Sequence, residues 1–388
     1  MRVHVLVFDA FGGGGVARTV VNLANHLAAA HDVTLLSLFR SRRVPRFAHD
    51  PRLAVRVLHP TPRRRSALRA ELEARPSRLR PAPAEARMNH LTDLVLRRGL
   101  AGVTEGVLLS TRPSLHLAAL QLRPTTAVPV VGQDHGHFEN RFAPDRSTAV
   151  LDAAVPGLDG FAVLTAADAA DYRARYPDAA ARIHHLPNAL PWPVAEAPAP
   201  LDAPVIVTAG RLDAAKGHAR MIRAFAPVAA AHPDWQLHVY GAGPEDRALE
   251  AQVEQLGLAG RVRLRGYSLD LRSVLASASV YALASHTESF SMSLIEAMSV
   301  GLPTVAMDCP RGPREIVRDG ETGFLVPDGD EAGFTAALLR LVEDADLRRR
   351  MGAAGLARSH EWSMETVGHR WETLLESLAA GSPPRTIP

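Results

Sequence analysis

The chain has 388 residues, enough for two domains with separate cores, and its hydrophobic content of 47% is ordinary for a globular protein. The formal net charge is only +3, and Cys309 is the one cysteine, which excludes an internal disulfide framework and a Cys-rich metal site. No apolar run reaches the ~18 residues a spanning helix needs, so a transmembrane helix is excluded as well. A reducing, cytoplasmic location is expected. Lys216 is the only lysine, so nearly all of the 44 Lys plus Arg are arginine. One lysine in such a background marks a place where a compact point charge is wanted.

The opening MRVHVLVF carries too short an apolar run for a signal peptide, and Arg2 to Phe8 is predicted to be a buried parallel strand. Gly12 to Gly15 follow, then an amphipathic helix over Val16 to Ala30. Glycines between strand and helix let a ligand approach the backbone at a helix N-terminus. The plainer alternative is a tight turn, which four consecutive glycines exceed. The spacing is not the dinucleotide fingerprint, and no acidic residue closes the next strand, Val33 to Phe39, so a dehydrogenase is disfavoured.

Arg63 to Arg87 is rich in Arg and Pro. It reads either as a basic lip for an anionic lipid surface or acceptor, or as a solvated helix and loop. Glu71, Glu73 and Glu85 dilute its charge, and the second reading is preferred. No aromatic residues interleave with these arginines, which disfavours nucleic acid. Gly106 to Ser110 and Ala127 to Gly132 are the next predicted strands. His135 and His137 lie just past the second, at the carboxyl edge where open α/β sheets bind ligands. Either can meet a sugar hydroxyl or be an ordinary turn histidine. Zinc on His135 and His137 is a weaker alternative, since no third ligand is evident. Phe161 to Leu164 is a strand, Thr165 to Arg175 a helix capped by Thr165, and Ile183 to Leu186 a strand. The Pro-rich residues 191–203 are the expected linker between domains 1–190 and 204–361.

The pattern restarts with a strand over Val205 to Ala209, and a helix begins near His218. Arg211 and Lys216 lie in the loop between them, a clamp suited to a diphosphate. Trp235 to Tyr240, Val262 to Arg265 and Val280 to Ala284 are further strands. A short helix is predicted over Met292 to Val300, and a strand over Thr304 to Met307. The amides near Ser291, Met292 and Ser293 are placed to attract a phosphate. Glu288 and Glu296, eight residues apart, can accept hydrogen bonds from hydroxyls. Phosphate-binding amides beside hydroxyl-binding carboxylates suit a nucleotide sugar. Gly323 to Val326 is the last strand. Asp328-Gly329-Asp330 reads as a turn and helix cap rather than a metal motif. Helices follow over Asp330 to Glu343, Leu347 to His360 and Met364 to Leu378.

The motifs GRLDAAKG at 210–217, GAGP at 241–244, ESFSMSLIEAMSVGLP at 288–303, CPRGPREIV at 309–317 and DGETGFLVP at 319–327 occur in this order. With GGGGVARTVVNLANHLA at 12–28, they resemble the retaining family 4 glycosyltransferases of the GT-B fold. The resemblance covers essentially the whole chain. It implies two Rossmann-like parallel-sheet domains facing a cleft, with the last helix, 362–380, crossing back to the N-terminal domain. It implies Arg211 and Lys216 on the donor diphosphate, Glu296 on the nucleotide ribose and Glu288 on the donor sugar. Amides of Phe290, Ser291, Met292 and Ser293 would complete that site. His135, with His137 as rival, would stand near the transferred sugar, and Gly14 and Gly15 near the diphosphate and acceptor. Ser289 and Ser291 depart from the commonest form, where Gly and Pro or Gly are frequent, which leaves the donor sugar open.

The activity implied is transfer with retention from a nucleotide-diphosphate sugar, UDP being the first base expected, to a glycan, lipid-linked or small-molecule acceptor. Cell-surface polysaccharide synthesis is the setting implied. No tightly bound cofactor and no metal are expected. A peripheral contact with an anionic membrane at its inner face is left open. The alternatives are a nucleotide-sugar epimerase or hydrolase on the same fold, and a non-catalytic sugar-nucleotide-binding subunit.

Overall fold

The computed structural model describes residues 1–59, 66–83, 85, 87–124 and 127–381. The chain divides into two compact units: Met1–Pro191 together with the segment from Met364, and Trp192–Ser363.

The first unit begins with β1 (Arg2–Asp9), α1 (Gly15–Leu27), β2 (Asp32–Phe39), β3 (Ala54–Val57), α2 (Ala67–Ala74) and α3 (His90–Leu100). It continues with β4 (Val107–Ser110), α4 (Pro113–Leu122), β5 (Val130–Gln133), α5 (Phe138–Arg141), α6 (Ala149–Ala154), β6 (Gly160–Val163), α7 (Ala166–Arg175) and β7 (Ile183–His185). Among the described residues these form one sheet in the order β3-β2-β1-β4-β5-β6-β7, and all its strand pairs are parallel. The inner strands β4, β5 and β6 are short runs buried at every residue, as expected where helices cover both faces. β3 reads Ala-Val-Arg-Val at an open edge with none of its residues buried, and so short a run with an arginine inside it gives no strand signal in sequence. α3 starts on a capping box between Asn89 and Thr92. α4 escapes a periodicity reading because it is buried on almost every side, and Pro113 starts it at the one place where proline costs nothing.

The second unit runs β8 (Val205–Ala209), α8 (His218–Ala231), β9 (Gln236–Tyr240), α9 (Asp246–Gln255), β10 (Val262–Gly266), α10 (Leu271–Ala276), β11 (Val280–Leu283) and α11 (Met292–Met298). Then come β12 (Thr304–Asp308), α12 (Pro313–Ile316), β13 (Gly323–Pro327), α13 (Glu331–Glu343) and α14 (Ala345–Ser359). Its sheet is also parallel, in the order β10-β9-β8-β11-β12-β13. Residues 191–203, the expected linker, make hydrogen bonds to this unit. Trp192 Nε1 donates to Ser299 Oγ at 2.9 Å, and the N–H groups of Ala195 and Ala199 donate to the carbonyls of Ser299 and Val300 at 2.9 and 2.8 Å.

α15 (Met364–Ala379) belongs to the first unit. Its Val367, Trp371, Leu374, Leu375 and Leu378 lie in one core cluster with Val20, Leu23, Ala24 and Leu27 of α1. Trp371 is 1% exposed. Burying an aromatic of that size removes roughly 150–250 Å² from water, worth about 4–6 kcal/mol before ordering entropy. Among the described residues no helix is long and apolar enough to cross a membrane.

In each sheet the strand order reverses once, between β1 and β4 and between β8 and β11. Loops from the two strands diverge at such a point, and a crevice opens at their carboxyl ends. Both sheets therefore offer a ligand site at a place their topology fixes.

Candidate active site

At the second unit's reversal point, the β8 loop brings Lys216 and the β11 loop brings Glu288. Lys216 Nζ lies 2.7 Å from Glu288 Oε1, and Ser285 Oγ donates to the same oxygen at 2.6 Å. Glu288 is 7% exposed, and its backbone is pinned too. Its N–H donates to Pro310 O at 2.7 Å, and Arg311 N–H donates to Glu288 O at 2.8 Å. The CPRG segment thus acts as a splint for the loop carrying Glu288. Gly312 is required there, since a Cβ would meet Phe290 O at 2.2 Å. Glu296 on α11 is buried at 1% exposure. Tyr281 of β11 is fully buried, and its hydroxyl donates to Ala209 O at 3.2 Å. Ser293 hydrogen-bonds that hydroxyl as well, and burial, with both glutamates nearby, pushes its ionisation up. Tyr281 therefore ties the end of β8 to the first turn of α11.

Arg211 points largely into solvent, with Nε 3.3 Å from Asp213 Oδ2. Behind it, His218 Nε2 donates to Arg211 O at 3.2 Å, and Leu212 N–H donates to Ala242 O in the GAGP turn at 3.2 Å. The loop is held by its backbone while the guanidinium stays exposed. Gly217 closes it at φ +62°, where a Cβ would meet Ala284 O at 1.8 Å.

The buried arginine beneath this loop was not foreseen from sequence. Arg220 of α8 is 4% exposed. Its Nε and Nη2 donate to the carbonyls of Ala284 and Ser285, and Nη1 meets Asp328 Oδ1 at 2.7 Å. It joins the carboxyl ends of β11 and β13 to α8. Asp328 is thus an ion-pair partner, while Asp330 caps α13 by accepting from Gly333 N–H at 2.8 Å.

Ser291 caps α11 with φ +71° and ψ +60°, in the left-handed region that disfavours side chains. Its hydroxyl is buried without a hydrogen-bond partner among the described residues. Two penalties fall on one residue, so Ser291→Gly should raise stability by up to about 1 kcal/mol. The check is the denaturant midpoint, measured beside the donor KM. A higher midpoint with a weakened donor KM would mark the hydroxyl as a ligand contact.

In the first unit, Gly14 caps α1 with extended backbone, and a Cβ at Gly14 or Gly15 would meet nothing within 4 Å. Neither the local conformation nor packing within the described residues demands glycine there. The two candidate histidines separate clearly. His137 caps α5, its Nδ1 accepting from Asn140 N–H at 3.3 Å. His135 is half-buried, and among the described residues its Nε2 has no hydrogen-bond partner. Its loop is fixed from below by Asp134, which is fully buried. The Asp134 carboxylate accepts from Arg141 Nε at 2.9 Å, Tyr172 Oη at 3.0 Å and Gly136 N–H at 3.0 Å. Among the described residues no group of three or more His, Cys, Asp or Glu is placed to hold a metal ion.

Burial holds the imidazoles of His135 and His218 down to about 4, and that of His116 down to about 3. Unfolding returns them to the ordinary 6.5. Between pH 6.5 and 4 the unfolded chain therefore binds more protons than the native one. The stability they contribute is complete above pH 6.5 and is lost as pH falls toward 4. Denaturant melts across that range should show a falling midpoint, and His218→Gln should flatten part of the slope.

Two parallel doubly wound sheets, with a cation–carboxylate pair at one reversal point and a glycine loop at the other, place the chain among proteins built of two Rossmann-like domains. The family comparison is direct. The Glycosyltransferase Family 4 model matches residues 13–191, and the Glycosyl transferases group 1 model matches residues 194–358. The chain belongs to this glycosyltransferase family. An exopolysaccharide phosphotransferase of Streptomyces coelicolor is 32% identical over 95% of this chain, which spans only 40% of that protein's length. An uncharacterized glycosyltransferase of Haemophilus influenzae is 24% identical, covering 96% of this chain and 99% of that one. A mutant of S. aureus TarM, crystallised with fondaparinux, alpha-GlcNAc-glycerol and UDP, shares the fold at a TM-score of 0.77 and 14% identity. That match covers 97% of this chain and all of TarM.

Proposed function

We propose that the protein moves a sugar, with retention at its anomeric carbon, from a nucleoside-diphosphate sugar to an acceptor hydroxyl in cell-surface glycan synthesis. The observation that carries this reading is the joint hold of Lys216 and Ser285 on one oxygen of Glu288. It fixes the orientation of the carboxylate, with Oε1 occupied and Oε2 able to accept from a sugar hydroxyl. Lys216 is at the same time placed to meet the leaving diphosphate, joined by the exposed guanidinium of Arg211. Charge grows on that diphosphate as the C1–O bond breaks, and fixed cations at that position lower the barrier most. Glu296 reads the ribose, and the backbone from Phe290 to Ser293 faces the donor. His135, neutral at physiological pH, supplies a hydrogen bond to the transferred sugar, and Gly14 and Gly15 leave room at the first unit's loop. The departing phosphate takes the acceptor proton, and Arg211, Lys216 and the helix amides stabilise its charge in place of a metal.

UDP is the first base to try, supported by its presence in the TarM structure. The test is to incubate the chain with UDP-, GDP- and ADP-glucose and measure released nucleoside diphosphate. Each is run with and without EDTA, and with and without a lysate of acceptors, and the product anomer is read by NMR. An α-linked product from an α-donor, formed in EDTA, is expected. Free altered sugar without an acceptor would indicate an epimerase or hydrolase. Failure of UDP, GDP and ADP all to bind, together with no release from any of the three donors, would overturn the reading.

A further inference from the structure

The first unit's reversal point holds a second set of charges. β1 ends at Phe8 and Asp9 and leads to Phe11, β2 ends at Phe39, and β4 hands the chain to Arg112. Phe8 and Phe39 pack edge to face at 4.8 Å. Arg112 lies over the Phe8 ring at 4.5 Å. Arg87 lies over Phe39 at 3.7 Å and reaches Phe8 at 5.5 Å. Two guanidiniums therefore share one ring at the carboxyl edge of the sheet, where a parallel fold binds its ligands.

Elsewhere the stacked arginines mostly spend their N–H groups. Arg175 on Phe142 forks onto Asp152, Arg348 on Trp235 donates to the carbonyls of Leu341 and Val342, and Arg358 on Trp362 donates to the carbonyls of Glu315 and Ile316. Among the described residues, Arg87 and Arg112 make no hydrogen bond or ion pair with a carboxylate or carbonyl, a trait they share with Arg340 on Phe324. Among the described residues the acids of this region are engaged: Asp134, whose charge reaches Arg112, is held by Arg141 and Tyr172, and two others are held as well. Asp9 accepts from Phe11 N–H at 2.9 Å and Ser41 N–H at 3.1 Å, and Glu85 accepts from Ser114 Oγ at 2.9 Å. Arg112 is half-buried and also caps α4. An anion beside it would lie near that helix's positive end.

We infer that Arg87 and Arg112 form a subsite for a phosphoryl group on the acceptor. Two planar forks held on aromatic faces are pre-oriented for a group with several anionic oxygens, whereas a single carboxylate would satisfy one fork. The inference rests on the transferase reading and adds the acceptor's chemical class. The phosphoryl group has two sources, a soluble sugar phosphate or a phospholipid headgroup.

The test uses the full chain saturated with the nucleoside diphosphate that donor profiling selects, so that the donor site is filled. Glucose 1-phosphate and methyl glucoside are titrated into wild type, Arg87→Met and Arg112→Met, and each is also floated with phosphatidylglycerol and phosphatidylcholine vesicles. Losing one charge-assisted fork should weaken glucose 1-phosphate or phosphatidylglycerol binding by about tenfold or more. Methyl glucoside and nucleoside diphosphate binding should stay unchanged, which also shows that the variants fold. Loss on glucose 1-phosphate assigns the soluble source, and loss on phosphatidylglycerol vesicles alone assigns the headgroup. Wild-type binding of glucose 1-phosphate no tighter than methyl glucoside, together with no preference for phosphatidylglycerol, overturns the inference. Phosphoryl binding that survives in both variants overturns it too. If no nucleoside diphosphate binds at all, the transferase reading has failed instead.

Discussion

Lys216→Met should lower kcat/KM for the nucleotide-sugar donor by about a thousandfold while moving the unfolding midpoint little. Removing one fixed donor from a developing oxyanion costs about a hundred- to a thousandfold in other enzymes, and a full positive charge on a leaving diphosphate belongs at the upper end. Lys216 is part-exposed, at 29% of its side chain, so its pairing with Glu288 contributes little to folding. Met keeps most of the stem and removes only the charge. The pair also predicts non-additivity, because Lys216 and Ser285 act on the same Oε1 of Glu288. Glu288→Gln alone should impair turnover severely, and adding it to Lys216→Met should cost far less than the product of the two single losses. Steady-state kinetics on the four proteins of this cycle, with a denaturant melt of each, provide the check. Near-normal turnover in Glu288→Gln would remove its role at the donor sugar.

Lys216 stands out in sequence as the one lysine in an arginine-rich chain, and the ordered motifs single out Glu288 and Glu296; the structure brings Lys216 and Glu288 together. β8 runs over Val205–Ala209, as its apolar run and flanking glycine predict. What pattern reading could not reach is the set of contacts made by strand order. Arg220 meets Ala284, Ser285 and Asp328 because β8 lies beside β11, and β12 and β13 follow on the same side. Those partners are 64 to 108 residues away in sequence, and one arginine among dozens carries no local mark. Ser291 shows the same limit at the backbone level, since its left-handed turn depends on the path from β11 into α11. His135 and His137 could not be told apart by spacing. The hydrogen bond from Asn140 separates them by giving His137 a capping role. In the Arg-rich residues 63–87, Arg69 and Arg75 of the α2 region pair with Glu73 and Glu71, as a solvated helix would. Arg63 to Arg65 lie outside the described residues. Arg87 departs from that behaviour because the fold, and not its neighbours in sequence, supplies the rings of Phe8 and Phe39.

Arg220→Met should destabilise the second unit by about 3 kcal/mol and lower its unfolding temperature by several degrees. The substitution preserves length and apolar stem but strands three acceptors at once. The carbonyls of Ala284 and Ser285 sit in residues that are 2% and 0% exposed, so water cannot readily replace the lost donors. Asp328 is 39% exposed on its side chain, which places the loss toward the low end of the range for broken buried pairs. Asp328→Asn separates charge from geometry, because the amide oxygen can still accept from Nη1, and it should cost less than about 1 kcal/mol. Function should follow position. Ser285 orients Glu288 through its hydroxyl, and Arg220 holds the Ser285 backbone, so Arg220→Met should lower kcat even at temperatures where the protein remains folded. Guanidinium chloride at low millimolar concentration, well below denaturing levels, should restore part of that kcat in Arg220→Ala, where the vacated space can admit the ion. A variant that melts at the wild-type temperature and turns over normally would mean that the Ser285–Glu288 loop holds its shape without this arginine. Intact melting with reduced kcat would instead confine its part to aligning the donor carboxylate.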